Sequence, residues 1–500
     1  MPAADEVPAA DEVPAADDLP ADEPTPAAEP SAPASPSPMP EVPAGGGTEP
    51  GPVADEQPPE AAGEQSVPEA GGPSGVEQPA GDELAQAEET GEPAATAADN
   101  PEEADAGATP AAEPPKEDAG GPAIVGRLLS PDQILLRTDA AMEELTRLPT
   151  QSPLSVGDRL ISLPAFRPMI SATSTTMELE GGSSIELIGV DNQRVPEIAI
   201  HYGRVIIRSL ANPNTRLKLR IGSLQPGTLI FSDPDSAAGI EVRPYLVAGQ
   251  DPENTPPTQG VELYVVKGQV IWETPDARQS HPAPARITLA AHPFERSAAD
   301  VQPAWLYQSQ LSSLDKRGMP EIEQRLTPDR SIMLSLAELA EHRRWEIRRL
   351  ALRGCAHVAY FEPLVKALRE KELYNRWYTV FVPELTAAVA RGPAIAAQVR
   401  NALEKARGES AAELYRMLWG YSREDLIAGG QARKLVEYLD DDKLDFRVLS
   451  FGNLREITGL GMNYRPEDNR LQRKQSVERW EKKADADEIV PRATTGPDAG

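Results

Sequence analysis

Not one of the chain's aromatic residues (6 Trp, 11 Tyr, 7 Phe) lies among its first 122 positions. That stretch opens by repeating Pro-Ala-Ala-Asp-Glu-Val and then drifts through Ala, Pro, Glu, Gly and Ser with no periodic apolar face. Such a segment cannot bury enough apolar surface to offset the entropy of ordering its backbone. Residues 1–122 are therefore predicted to be a disordered acidic spacer. Like-charge repulsion and proline, which supplies 25 of the chain's 51 in this stretch, would extend it toward polyproline II.

Charge marks the same boundary. The full 500 residues carry 79 acids and 49 bases, for a net charge of −30. Residues 1–122 hold 29 of those acids and one base, Lys116, so the remainder is nearly neutral. The acidity belongs to the tail and not to a fold, and it argues against binding nucleic acid through a broad basic surface. Met1 is followed directly by Pro-Ala-Ala-Asp-Glu. The chain as written has no leader of charged, apolar and small-residue regions, and no apolar run long enough to span a bilayer. The expectation is a soluble cytoplasmic protein, or a periplasmic or envelope-associated one if the true start lies upstream. The single cysteine, Cys355, sits in a helical apolar pattern and reads as core.

From Ile124 the pattern becomes one of short alternations. Examples are Ile134–Arg137, Ser184–Ile188, Ile198–Ile207, Leu217–Ile221, Gly227–Phe231 and Val261–Val266. Period-two runs broken by Gly, Pro, Asn and Asp predict an all-β domain over 123–300: a sandwich, roll or short β-solenoid. Val265–Trp272 reads as two strands around a Lys267-Gly268 turn. The order Val125-Gly126, Ile134–Arg137, Leu154-Ser-Val-Gly157-Asp158-Arg-Leu160-Ile161, Gly181-Gly182, Ile185–Leu187 and Gly203–Ile206 resembles a bacterial FecR-type β domain. In that likeness Gly157-Asp158 turns the chain between an entering and a leaving strand, and Gly203 belongs to a later strand segment. The resemblance implies a non-catalytic, envelope-facing module of the kind found in regulators that relay signals from outer-membrane receptors. It carries over no catalytic residues.

After Pro303-Ala-Trp305 the spacing turns helical, with Ile332, Leu336, Leu339, Ile347, Leu350, Ala351 and Val358 at three-and-four intervals. Further helices are expected over 361–371, 375–391, 393–407, 410–419, 431–440, 443–457 and 468–483, with 484–500 returning to a disordered polar tail. A gapless repeat relates Leu336-Ala-Glu-Leu339 to Leu435-Val-Glu-Tyr438. The same offset relates Glu346-Ile-Arg348-Arg-Leu350 to Asp445-Phe-Arg447-Val-Leu449. Each unit is a helix, a charged turn and a second helix opening with acid, apolar residue and arginine. That resembles HEAT-type repeats, and implies an all-α repeat domain over 301–483 in which Arg348 and Arg447 tie neighbouring helices and a stacked surface contacts proteins.

Motifs of chemistry are sparse. The five histidines (His201, His281, His292, His342 and His357) show no metal-binding spacing. No phosphate loop or nucleophile elbow occurs. Asp233 and Asp235 flank Pro234 and read as a turn, Asp440-Asp-Asp442 as a charged helix end, and His201 beside Tyr202 as a strand residue. No cofactor or metal is implied. The expectation is a non-catalytic scaffold or signalling component: the β domain docks or senses, and the helices hold a protein partner. Trp377, Tyr378, Tyr415 and Trp419 are the candidate partner surface, with the bundle core as the other reading of the same aromatics. The alternatives are a glycan-active enzyme built on scattered carboxylates and a structural envelope-assembly protein.

Overall fold

The computed structural model describes residues 123–138, 144–210, 212–291 and 302–491. The spacer expected over 1–122 lies outside the described residues, as do His292 and residues 492–500. Where apolar residues alternate, strands form. The first are β1 (Ile124–Leu128), β2 (Leu135–Thr138), β3 (Leu145–Arg147), β4 (Pro153–Ser155), β5 (Arg159–Ser162), β6 (Met169–Ala172), β7 (Thr175–Leu179) and β8 (Ser184–Val190). A long β9 (Pro196–Ser209) precedes β10 (Thr215–Arg220), β11 (Gly227–Phe231), β12 (Ala237–Tyr245) and β13 (Thr258–Lys267). Three more close the region: β14 (Gln269–Glu273), β15 (Arg278–Pro282) and β16 (Ala285–Ala290).

The strands make two sheets that share β9. One runs β4-β1-β6-β7-β9-β12-β13-β16. The other runs β3-β2-β5-β8-β9-β10-β11-β14-β15. Every pairing is antiparallel except β9 with β10. One core, including Leu128, Met177, Ile207 and Leu263 from the first sheet and Leu135, Leu160, Ile198 and Phe231 from the second, fills the space between them. This is a sandwich. A solenoid would stack parallel strands.

The shared strand explains Gly203. Residues 196–202 pair with β8 and residues 203–208 with β12, so the chain changes sheet at this glycine. Its φ is 101°. A β-carbon there would sit 2.3 Å from Ser183 Oγ and 2.5 Å from Ser183 Cα. The Ser183 hydroxyl accepts the Arg204 N–H at 2.8 Å, fastening the bend. Gly157-Asp158 forms the turn between β4 and β5. Asp158 Oδ2 accepts the Ser155 N–H at 2.8 Å, and the Gly157 N–H donates to the Leu187 carbonyl at 2.7 Å. The Lys267-Gly268 turn also differs from a hairpin. β13 and β14 do not pair with each other but enter different sheets.

The helical region comprises α1 (Ser313–Arg325), α2 (Ile332–Ala340), α3 (Trp345–His357), α4 (Glu362–Ala367), α5 (Val382–Val389) and α6 (Pro393–Arg407). It continues with α7 (Ala411–Arg416), α8 (Arg423–Ile427), α9 (Gln431–Glu437), α10 (Leu444–Thr458) and α11 (Arg470–Asp485). The helices α1 and α8 carry no clear apolar period but begin with capping boxes, Ser312/Asp315 and Ser422/Asp425. The helix expected over 375–391 is divided. Pro383 lacks an N–H to donate within the first turn of α5, and a π-helical turn over Trp377–Phe381 precedes it. The expected tail is shorter at its start: α11 runs through Asp485, and Ile489 is buried in the helical core. Pro303–Leu306 belongs with the β domain, since Trp305 and Leu306 pack on Ile206 and Tyr264. Among the described residues no helix is long and apolar enough to cross a membrane.

The paired segments of the repeat occupy equivalent places. α2 and α9 begin 99 residues apart, and so do α3 and α10. Arg348 and Arg447 are each the fourth residue of their helix. Their contacts differ. Arg447 is buried and donates to three carbonyls: Pro466 O at 2.8 Å, Asp441 O at 2.6 Å and Asp442 O at 2.9 Å. Arg348 instead forms a partly buried pair with Glu370, with both oxygens at 2.9 Å.

Two stability outcomes follow. Gly203→Val forces a β-branched residue into a left-handed conformation against Ser183 and should lower stability by roughly 2–5 kcal/mol in urea unfolding. Arg447→Ala removes the donor to three carbonyls, that of buried Pro466 among them, and should cost about 3 kcal/mol, against about 1 kcal/mol or less for Arg348→Ala. Equal losses for the two arginine variants would contradict the difference in their surroundings.

Candidate functional site

The β and helical regions meet through apolar surface. Ile134, Leu136, Ile161, Leu163 and Phe166 project from the second sheet into the helical core and not into the β core. Polar ties flank that seam. Arg147 of β3 donates to the last carbonyls of α1 and its cap, Glu323 O at 2.6 Å and Leu326 O at 2.8 Å. Arg400 of α6 pairs with Glu253 at 2.7 Å. Arg391 lies 4.5 Å above the Tyr202 ring.

Beside the seam the two regions part to leave a cleft of about 630 Å³. Its β wall is the end of β12 and the following residues, Pro244–Leu246 and Ala248. The opposite wall is helical, made by α5, the turn after α7 and α10. The volume falls in the roughly 300–1,000 Å³ range of pockets that take a drug-sized ligand. The lining is mostly apolar, with Arg455, Asn453 and Glu456 as polar groups at the α10 side.

The four candidate aromatics divide between core and cleft. Trp377 is fully buried, and its indole N–H donates to the Ala367 carbonyl at 3.2 Å. Tyr415 is buried against Trp419, and burial together with the nearby Glu253 pushes its phenol up. These two residues are packing. Tyr378 and Trp419 are half-buried and line the cleft. The Tyr378 hydroxyl donates to the Val448 carbonyl at 2.8 Å, which fixes the ring, and Arg455 lies 4.5 Å over its face. Arg416 lies 4.0 Å over both Trp419 and Tyr421. The Trp419 indole N–H is buried with no partner among the described residues. The cleft thus offers flat aromatic faces beside a guanidinium, a surface suited to apolar side chains accompanied by an acidic group.

The sequence pointed to Tyr378 and Trp419 but not to the β wall or to Arg455. Nothing local marks Pro244–Ala248 as the neighbour of Trp419, because the two meet only through the tertiary fold.

The other candidates are accounted for separately. Asp233 Oδ2 accepts the Gln269 N–H at 3.2 Å, and Asp235 pairs with Lys267 at 3.2 Å, both in a surface turn. His342 Nδ1 accepts the Arg344 N–H in the connection between α2 and α3. His201 Nε2 lies 3.1 Å from Glu186. The Cys355 thiol is buried and pushed up. Among the described residues no three His, Cys, Asp or Glu side chains gather as a metal site. No protein-family model, curated protein or solved structure matches the chain.

His357 closes α3 against the β domain. The Gly182 turn between β7 and β8 lies on its ring, and a β-carbon on Gly182 would come within 3.0 Å of it. Burial, then Arg391 and Arg353, hold this imidazole well below its ordinary value. That ordinary value, about 6.5, governs the unfolded chain, which therefore takes up a proton that the folded chain refuses. Stability is then lost as pH falls below about 6.5. His357→Gln should flatten this part of the profile. Urea unfolding at pH 7.5 and 5.5 should show the native chain losing more stability than the variant, with a difference in slope approaching one proton, about 1.4 kcal/mol per pH unit. Parallel profiles would show that His357 is not buried as a neutral group.

Proposed function

We propose that the chain is a non-catalytic scaffold or signalling component of a bacterial cell, in which a FecR-like β domain and HEAT-like helices jointly hold a protein partner. The observation that carries this reading is the cleft between them. It is built from both domains, and it presents Tyr378 and Trp419 partly open beside Arg455. Its occupant on this reading is a short extended segment of another protein, with spaced apolar side chains and an acidic residue facing Arg455. The equal offset of α2/α3 and α9/α10 supports the HEAT-like part.

The glycan-active alternative requires two free carboxylates facing a substrate. One pair of carboxylates, Glu197 and Glu273, borders a depression of about 430 Å³ in the β domain. Both are engaged: Glu197 pairs with Arg220, and Glu273 lies 3.5 Å from Arg216 and 3.3 Å from Arg278. That arrangement favours the scaffold.

Peptide-display selection on the purified full chain tests the reading. The expected ligands carry spaced apolar residues and an acid and bind with micromolar affinity. Ala387 is an exposed cleft residue of α5, so Ala387→Arg fills the cleft without disturbing the core. It should weaken those ligands at least tenfold. Selected peptides indifferent to this change would remove the cleft as the site. Glycan hydrolysis abolished by Glu197→Gln would replace the scaffold with the enzyme.

A further inference from the structure

A smaller cavity of about 150 Å³ lies elsewhere along the same seam. The β domain contributes Arg159, His201, Tyr202 and Gln259, and the helices contribute His357 and Arg391. Two guanidiniums and two imidazoles therefore share one small space, and no carboxylate is among its described lining residues. Glu186, opposite Arg159 on the neighbouring strand, is engaged by His201.

These groups are incompletely satisfied. Arg391 donates one N–H to the Ala356 carbonyl at 2.7 Å, at the end of α3, and its plane rests on Tyr202. The Arg159 side chain makes no hydrogen bond or ion pair among the described residues, although Glu186 lies opposite it in the β5–β8 ladder, and its Nε is buried without a partner. The His357 Nδ1 is likewise buried and unpartnered, in a residue only 6% exposed. Both arginines are partly buried, but buried polar atoms are ordinarily satisfied, so the Arg159 Nε and the His357 Nδ1 mark unmet hydrogen-bonding capacity at the cavity. The histidines respond to the same field. Burial, then Arg159, lowers His201, and burial, then Arg391, lowers His357.

We propose that this cavity binds a small oxyanion, a phosphate or carboxylate group, held between Arg159 of the β domain and Arg391 of the helical domain. A guanidinium presents paired donors that match two oxygens of either group. At roughly 30 Å³ per water, the space holds about five waters, enough for inorganic phosphate or a short carboxylate and too little for a nucleotide. The anion satisfies Arg159, offers an acceptor to an imidazole N–H and cross-links the two domains. Its charge also raises both imidazoles toward their ordinary value. The site is separate from the aromatic cleft, and its test does not depend on what the cleft binds.

Calorimetric titration of the full chain with sodium phosphate, and separately with sodium acetate, against sodium chloride at matched ionic strength, tests this. Saturable 1:1 binding of either anion above the chloride control is expected, and the anion that saturates identifies the ligand group. Arg159→Gln should weaken that binding at least tenfold. Because Arg159 has no described partner, the variant should keep the native melting temperature in anion-free buffer. Arg159→Lys, which keeps the charge and loses the fork, should fall between them. Histidine proton NMR supplies a second readout: the bound anion should raise the titration midpoints of His201 and His357 in the native chain and not in Arg159→Gln. Absence of binding beyond chloride, or binding that Arg159→Gln leaves intact, overturns the proposal.

Discussion

One sheet carries apolar side chains on both faces. Along β2 and β5, Leu135 and Leu160 point into the β core, while Ile134, Leu136 and Ile161 point into the helical core. A sheet buried on one face leaves the other for water and alternates accordingly. Here the run Ile134-Leu-Leu136 is buried on both sides, and water reaches β2 only at Arg137. Burial of a large aliphatic side chain contributes on the order of 1.5–3 kcal/mol relative to exposure, so such a face cannot be left open. The helices are thus part of what makes the sheet stable, and the seam resembles an interior more than a transient docking surface.

The openings follow from that seam. Close packing needs matching surfaces, and a twisted sheet matches a set of helices over only part of its width. Where the match ends on one side, the residues after β12 and helices α5 and α10 leave the aromatic cleft. Elsewhere, polar strand residues face the end of α3 and the start of α6, and the basic cavity remains. The bend at Gly203 contributes to both. By carrying β9 from one sheet to the other, it places Tyr202 beside His357 and aligns β12 along the first sheet.

Periodicity made much of the strand and helix layout legible, because alternation and three-and-four spacing are local consequences of burial on one face. It failed where local pattern and structure part. The capping boxes at Ser312 and Ser422 were present, yet α1 and α8 were missed, since α1 carries Gly318 and Pro320 and α8 spans barely one turn. Val265–Trp272 read as a hairpin because both its strands are real, while the sheets they join are set by distant partners. The site was half legible for the same reason. Aromatic clustering singled out Trp377, Tyr378, Tyr415 and Trp419, but the register of the helices decides which two face the core.

The two arginines of the repeat show how far an internal repeat constrains chemistry. An equal offset places Arg348 and Arg447 at the same helical position, so the same direction of projection is inherited. What lies along that direction is not inherited. α10 is followed by a loop that folds back and brings Pro466 O over the helix start, and α11 packs on α9 and the Tyr438–Asp440 turn beside it, so Arg447 is enclosed and binds carbonyls. α3 is followed by α4 and the turn that carries Glu370, and there the arginine meets a carboxylate at a partly open surface. Main-chain oxygens at an enclosed helix start require a donor for stability, whereas an ion pair that water still reaches contributes less. The repeated segment therefore sets geometry, and the neighbouring segments, which do not repeat, decide whether that geometry becomes a structural anchor or a surface contact.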